Sequence, residues 1–229
     1  MRPVSSRPPG DLAFRAATDS AADVAAVVEL VESAYRGEPS RAGWTTEADL
    51  VAGQRTSAAE VRTALTDPHS TVLLAVEDTG ALVGCCHVER RLAPADHPAR
   101  SGDPGAQTGD AGGQQGDPGV GARRDTGRDA PETAAVGAYF GMFAVRPTRQ
   151  SGGVGAALLG TAERHAVTTW GAGWMELLVI AQRGELIDWY RRRGYLSTSR
   201  TRPFPYNDRR FGEPLRPDLY FVVLRRTLT

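Results

Sequence analysis

The sequence predicts a single α/β domain broken by a long disordered insertion, and three observations carry that expectation. Runs of strand composition alternate with amphipathic helical runs. The 229 residues suit one domain of ordinary size with an appendage. Between Leu92 and Val136 the composition shifts to Gly, Pro, Asp, Gln and Arg without apolar periodicity, so this stretch cannot bury enough surface to offset its ordering entropy. Residues 11–91 form no closed architecture without strands that follow Val136, so 92–136 reads as an insertion within a domain of 11–229, not as a linker. Residues 1–10, polar with three prolines, read as a disordered tail.

Taken in order, Phe14–Ala16 is a short strand. Ser20 followed by Asp23 starts an amphipathic helix carrying Val24, Val27, Val28 and Val31 at helical spacing. Arg36–Gly43 breaks it, Trp44 and Thr45 lead into a short polar helix, and Ser57 with Glu60 caps another helix reaching about Leu65. Thr71–Glu77 and Ala81–Glu89 are strand-like runs around Asp78-Thr79-Gly80, the chemistry of a tight antiparallel hairpin. After the insertion come a strand at Ala138–Val145, a helix from Gly152 to about Thr169 and a strand at Trp174–Ile180. Glu185–Arg193 is a helix stopped by Gly194, Tyr195–Ser199 a short strand, and Leu219–Leu224 the last strand.

Composition excludes several functions. The 27 basic and 27 acidic side chains cancel, which leaves no global field to gather nucleic acid or an anionic membrane. Every basic residue is arginine, so lysine-dependent phosphate loops and Schiff-base chemistry are ruled out. This arginine-only, isoleucine-poor usage fits a GC-rich, bacterial genome. Cys85 and Cys86 are adjacent and cannot readily bridge each other. With no signal-like start and no run of about 20 apolar residues, a cytoplasmic protein is expected. His69, His87, His97 and His165 show no ligand spacing, and no metal is expected.

The informative stretch is Gly141–Leu159, where a strand exits through Arg146-Pro147 into Gln150-Ser151-Gly152-Gly153-Val154-Gly155 and a helix. Small residues there leave backbone N–H groups uncovered at a helix start, which suits a phosphate or pyrophosphate. Arg146 and Arg149 favour an anion further. A dinucleotide fingerprint would need a third small residue where Leu158 stands.

This stretch resembles motif A of the GNAT superfamily of N-acetyltransferases, a Gln or Arg, two residues, Gly, one residue, then Gly or Ala: here Gln150, Gly153 and Gly155. Leu186–Tyr195, LIDWYRRRGY, is similar to the late helix of that superfamily. The resemblance runs from about Leu12 onward, with the insertion unmatched. It implies a mixed, mostly antiparallel twisted sheet flanked by helices and split so that cofactor lies between two diverging strands. It further implies acetyl-CoA as co-substrate, with Phe143, Ala144 and Val145 bonding the pantetheine arm and Gln150, Ser151, Gly152, Gly153, Val154, Gly155 and Ala156 wrapping the pyrophosphate. The acceptor would be a primary amine of a small molecule or peptide, attacking directly in a ternary complex.

By the same resemblance Tyr190 is the acid for the departing thiolate, its alternative being a ring that only packs the helix. A backbone N–H near Phe143 is the oxyanion donor. Glu176 is the candidate base, two residues before Leu178 on the same strand face; Glu89, Glu47 and Asp49 are rivals, and each carboxylate has the alternative of an ordinary ion pair. Arg183 stands where many members carry a cofactor-binding asparagine, so that role is not transferred. Trp44, Thr45, Glu47, Arg55, Phe204, Tyr206 and Phe211 are candidates for acceptor contact. A non-catalytic acyl-CoA-binding regulatory module is the alternative function. Neither a nucleic acid nor a membrane is expected as partner, and a homodimer is compatible with the sequence.

Overall fold

A computed structural model describes residues 12–92 and 136–229. The expected tail at 1–10 and the expected insertion, apart from its end residues, lie outside the described residues. Leu92 and Val136 themselves are strand residues paired with each other.

Strand β1 (Leu12–Ala16) leads to helix α1 (Ala21–Tyr35), and α2 (Gly37–Arg41) follows. Ser20 caps α1 by accepting from the N–H of Asp23 at 3.1 Å. Asp23 in turn accepts from Arg15 and from the N–H of Thr18, tying the helix start to the first strand. After β2 (Val51–Ala52), α3 (Ala58–Thr66) begins at the expected Ser57–Glu60 capping box. Next come β3 (Ser70–Glu77), β4 (Leu82–Leu92), β5 (Val136–Val145), α4 (Val154–Trp170), β6 (Trp174–Ile180), α5 (Gly184–Arg191), β7 (Leu196–Pro203), β8 (Glu213–Pro214) and β9 (Tyr220–Thr227).

Seven strands form one sheet in the order β1-β3-β4-β5-β6-β9-β7, antiparallel except for the parallel pair β5–β6. β2 and β8 make a separate two-stranded ribbon. One face of the sheet packs α4 and α5 through Val83, Cys86, Val88, Phe140, Leu158, Leu159, Ala162, Met175 and Leu177. The other packs α1 and α3 through Val27, Leu30, Val31, Val61, Leu74 and Cys85. From Cys85 onward, alternation along β4 explains this two-sided core: Cys86 and Val88 face one layer while Cys85 and His87 face the other, and the register shift opposite Ala75 and Val76 of β3 lets Val83 join the first.

The structure departs from these expectations in several places. The segment read as a break, 36–43, contains α2, whereas 44–50 holds no helix and instead folds over the sheet end with Glu47 buried. The ribbon β2–β8 had no sequence signal, its strands being two residues each. The strand expected at Tyr195–Ser199 runs to Pro203, and the last strand is inserted between β6 and β7. Pairing with β9 on one side is what extends β7, a tertiary effect that propensity does not carry.

Candidate active site

β5 and β6 pair only at Ala138–Met175, Tyr139–Glu176 and Phe140–Leu177. Beyond Phe140 the strands part. On its other edge β5 is bulged, since Cys85 pairs with Ala144 and His87 with Gly141, leaving Met142 and Phe143 outside both ladders. Met142 takes a positive φ of 45° there. Such a bulge re-aims the strand and frees backbone groups. The Tyr35 hydroxyl at the end of α1 donates to the Phe143 carbonyl at 2.5 Å and holds the bulge from the α1 side.

A groove of about 420 Å³ opens on this split. Its walls include Phe143, Ala144 and Val145 of β5, Gln150, Ser151, Gly153, Gly155 and Ala156 of the glycine turn, and Trp189, Arg192 and Arg193 from α5 onward. The turn takes left-handed backbone at Ser151 and Gly153, with φ of 65° and 83°. No side chain caps α4, so the N–H groups of its first turn stay available to an anion. A Cβ on Gly155 would lie 3.1 Å from the Phe143 ring, which is why this position must be small for helix and strand to approach. These features fit a phosphate-bearing, extended cofactor, and its positive complement is supplied by Arg192 and Arg193.

Of the expected cofactor residues, Gly152 and Val154 stand apart from the groove lining, and Val154 is buried against Gly84 of β4. Gln150 does line the groove, but its side chain is occupied: Oε1 accepts from the N–H of Trp44 and Nε2 donates to the Val145 carbonyl. Arg146 and Arg149 turn away, Arg149 to Glu77 and Arg146 to the Leu82 carbonyl and Glu29. The hairpin between β3 and β4 captures Arg149 through Glu77, while the start of β4 and α1 hold Arg146, contacts invisible in the local sequence.

Tyr190 is buried, with its ring among Phe143, Trp189 and Tyr195. Burial pushes its phenol well above the ordinary value, Tyr35 adding to the rise and Arg183 opposing it. Its hydroxyl has no hydrogen-bond partner among the described residues. Glu176 lies in the closed part of the β5–β6 pair, opposite Tyr139, and its carboxylate meets the Arg200 guanidinium. Only past Leu177 does β6 leave β5, so Leu178 reaches the cavity on the α1–α3 face and Glu176 does not.

That second cavity, about 470 Å³, lies on the opposite face of the split. Glu89, Arg91 and His87 come from β4, Tyr139 and Met142 from β5, Arg55 and Glu60 from the α3 region, and Phe211 and Phe221 from the C-terminal part. Burial and then Arg91 lower the His87 imidazole to about 4, so it is neutral at pH 7. Its Nε2 lies 2.6 Å from Ser70 Oγ.

Between groove and cavity stands a buried ionic cluster. Glu47 is 2.6 Å from Arg36, 3.4 Å from Arg55 and 3.5 Å from Arg183. Burial would raise its carboxyl, but the three guanidiniums outweigh that and hold it below the ordinary value. Arg183 also donates to Thr45 Oγ1, which donates to Glu185. Arg183 therefore clamps the 44–47 loop to the start of α5 where an asparagine was the familiar residue. Of the remaining acceptor candidates, Phe204 meets Tyr206 edge-on and stacks on Phe221 of β9, and Asp49 pairs with Arg41 at the surface. Tyr35, Arg91, Trp189 and the Met142 bulge were missed by sequence reasoning. Tyr35 had a helical spacing that marked it only as another helix residue; its partner is 108 positions away.

Among the described residues no group of His, Cys, Asp and Glu is arranged to hold a metal, and no helix is long and apolar enough to cross a membrane. The fold is that of solved acetyltransferases. Arabidopsis thaliana NAA60, determined with acetyl-CoA, is 12% identical with a TM-score of 0.57, the alignment covering 95% of this chain and 98% of that one. A GNAT-family acetyltransferase from Streptococcus pneumoniae is 12% identical with a TM-score of 0.54, covering 96% and 100%. The protein yncA from Salmonella typhimurium, determined with its cofactor acetyl-CoA, is 18% identical with a TM-score of 0.53, covering 95% and 94%. No match was found among curated protein sequences. The family model described as Acetyltransferase (GNAT) family matches residues 26–195, a span that contains the split strands, the glycine turn and α5. With that match over most of its length, the chain belongs to the GNAT acetyltransferase family.

Proposed function

We propose that this protein is an acetyl-CoA-dependent N-acetyltransferase acting on a primary amine of a small molecule or peptide. The observation that carries the reading is the pair of cavities flanking the split between β5 and β6, one lined by the glycine turn and the other by charged and aromatic side chains. Neighbours of the same fold were determined with acetyl-CoA, and NAA60 also with a bisubstrate analogue, which supports assigning the groove to the cofactor and the second cavity to the acceptor.

Acetyl-CoA supplies an activated acyl carbon as its thioester. The residues of this chain then have three tasks. The uncapped first turn of α4, with Arg192 and Arg193, binds the pyrophosphate and orients the thioester toward the split. Backbone N–H at the Met142–Phe143 bulge, paired in neither ladder, faces the charge that develops on the carbonyl oxygen. Tyr190, kept protonated by its burial, gives its proton to the thiolate as the C–S bond breaks. The amine loses a proton as the N–C bond forms. Glu89, in the lining of the second cavity and 3.2 Å from Arg91, is better situated to take it than Glu176, whose carboxylate is held by Arg200 on the closed side of the strand pair.

Titration calorimetry with acetyl-CoA and a free-thiol release assay over a panel of amines test this reading. Binding at micromolar concentration with amine-dependent thiol release is expected. Binding without release for any amine would move the protein to the non-catalytic acyl-CoA-binding class, and absence of binding would remove the groove assignment itself.

A further inference from the structure

We propose that the acceptor carries a carboxylate as well as its amine, and that Arg55 is the residue that binds this carboxylate; the inference rests on reading the second cavity as the acceptor site. The argument starts from which charges in the cavity are already spent. Glu60 is occupied by its own capping box, accepting from the N–H and hydroxyl of Ser57 at 2.8 and 3.1 Å. Asp67 accepts from the N–H of His69 at 2.8 Å. Arg91 has Glu89 at 3.2 Å, and Arg210 is held by Asp208 through two side-chain nitrogens.

Arg55 differs from the other cavity arginines. Among the described residues its one carboxylate contact is Nε to Glu47 at 3.4 Å, and Glu47 is shared with Arg36 and Arg183. Neither terminal nitrogen of Arg55 hydrogen-bonds to any described residue, yet the side chain lines the cavity with 32% of its surface still open. Its placement is nonetheless fixed. The backbone N–H donates to Glu32 at 2.7 Å, and the guanidinium lies over the Tyr35 ring, 5.1 Å from its centre. A guanidinium held through Nε with its outer edge free presents the two-pronged donor set that carboxylates match.

Position ties this subsite to the reaction. Tyr35, under the guanidinium, bonds the Phe143 carbonyl at the bulge, so a carboxylate on Arg55 lies one aromatic ring away from the split. Met142, Leu178, Phe211 and Phe221 supply an apolar wall for the rest of the molecule. A cavity of about 470 Å³ accommodates a free amino acid, and amine and carboxylate in one such space describe that class. A peptide N-terminus, which has an amide where the carboxylate would be, does not use Arg55.

The experiment measures binding to the full-length protein saturated with CoA, by calorimetry, of the apolar L-amino acids and of their carboxamides. The amino acids should bind at least about tenfold more tightly than the matching amides, the effect of one charge-assisted pair. Arg55→Gln, in protein that still binds CoA, should abolish that preference, and Arg55→Lys should retain part of it. Equal affinity for acid and amide, binding of neither, or an undiminished preference in Arg55→Gln would overturn the proposal. The acid–amide comparison on the unaltered protein decides even if Arg55→Gln fails to fold. Thiol release is read separately, so failure of the transferase reading shows as no release with any amine, whatever the binding comparison gives.

Discussion

At the scale of single residues, Tyr190 is the position where packing and chemistry separate most cleanly. Its ring fills a buried place among Phe143, Trp189 and Tyr195, which phenylalanine fills equally well. Tyr190→Phe should therefore leave acetyl-CoA affinity and thermal stability nearly unchanged while lowering kcat by about a hundredfold, the usual worth of a positioned acid. Because burial raises the phenol, its proton stays in place throughout neutral and mildly alkaline pH. The kcat profile should accordingly show no alkaline loss below about pH 10. A rate unaffected by the substitution would return Tyr190 to packing alone. Tyr190 was singled out in the sequence by its spacing from Gly194, which lies just past the end of α5. Arg55 was legible only as a candidate, since its significance depends on which carboxylates around it are already engaged. Glu176 was singled out by strand alternation, which holds, but the end of the β5–β6 pairing, which decides which residues of that face reach a cavity, is not a property of β6 alone.

At the scale of elements, the glycine turn and the bulged strand form one device. Gly155 lets α4 approach Phe143, and Gly153 supplies the left-handed backbone that turns the chain into the helix. Gly155→Val should push the first turn of α4 from Phe143 and weaken acetyl-CoA binding at least about tenfold. Calorimetry reads the affinity and circular dichroism the retained fold; unchanged affinity would separate this turn from the cofactor. Gly153 acts differently. No atom stands within 4 Å of a Cβ placed there, so its requirement is conformational and not a matter of space. Helix starts at Ser20 and Ser57 and the turn at Gly80 were readable because a cap or a tight turn involves residues within a few positions of one another. The 44–50 segment was misread for the opposite reason. Its conformation follows from burying Glu47 among Arg36, Arg55 and Arg183, contacts that local propensity cannot express.

At the scale of the whole molecule, the sheet is continuous across the interruption in the described chain, because Leu92 and Val136 are direct partners at the end of the β4–β5 ladder. Joining these strands through a short Gly-Ser link, with residues 95–133 removed, should preserve cooperative unfolding and leave acetyl-CoA affinity within about twofold, since closure entropy varies slowly with loop length. Non-cooperative denaturant unfolding of the shortened chain would refute this. By itself the sequence determined the family, the alternation of elements and the glycine turn, all of which are written in residues close together along the chain. The tertiary structure alone decided where β5 leaves β6, that Tyr35 braces the bulge from α1, and that a buried cluster joins the two cavities. Those features arise from contacts between segments many tens of residues apart, each chosen by packing and charge neutralisation among surfaces that exist only once the sheet has formed.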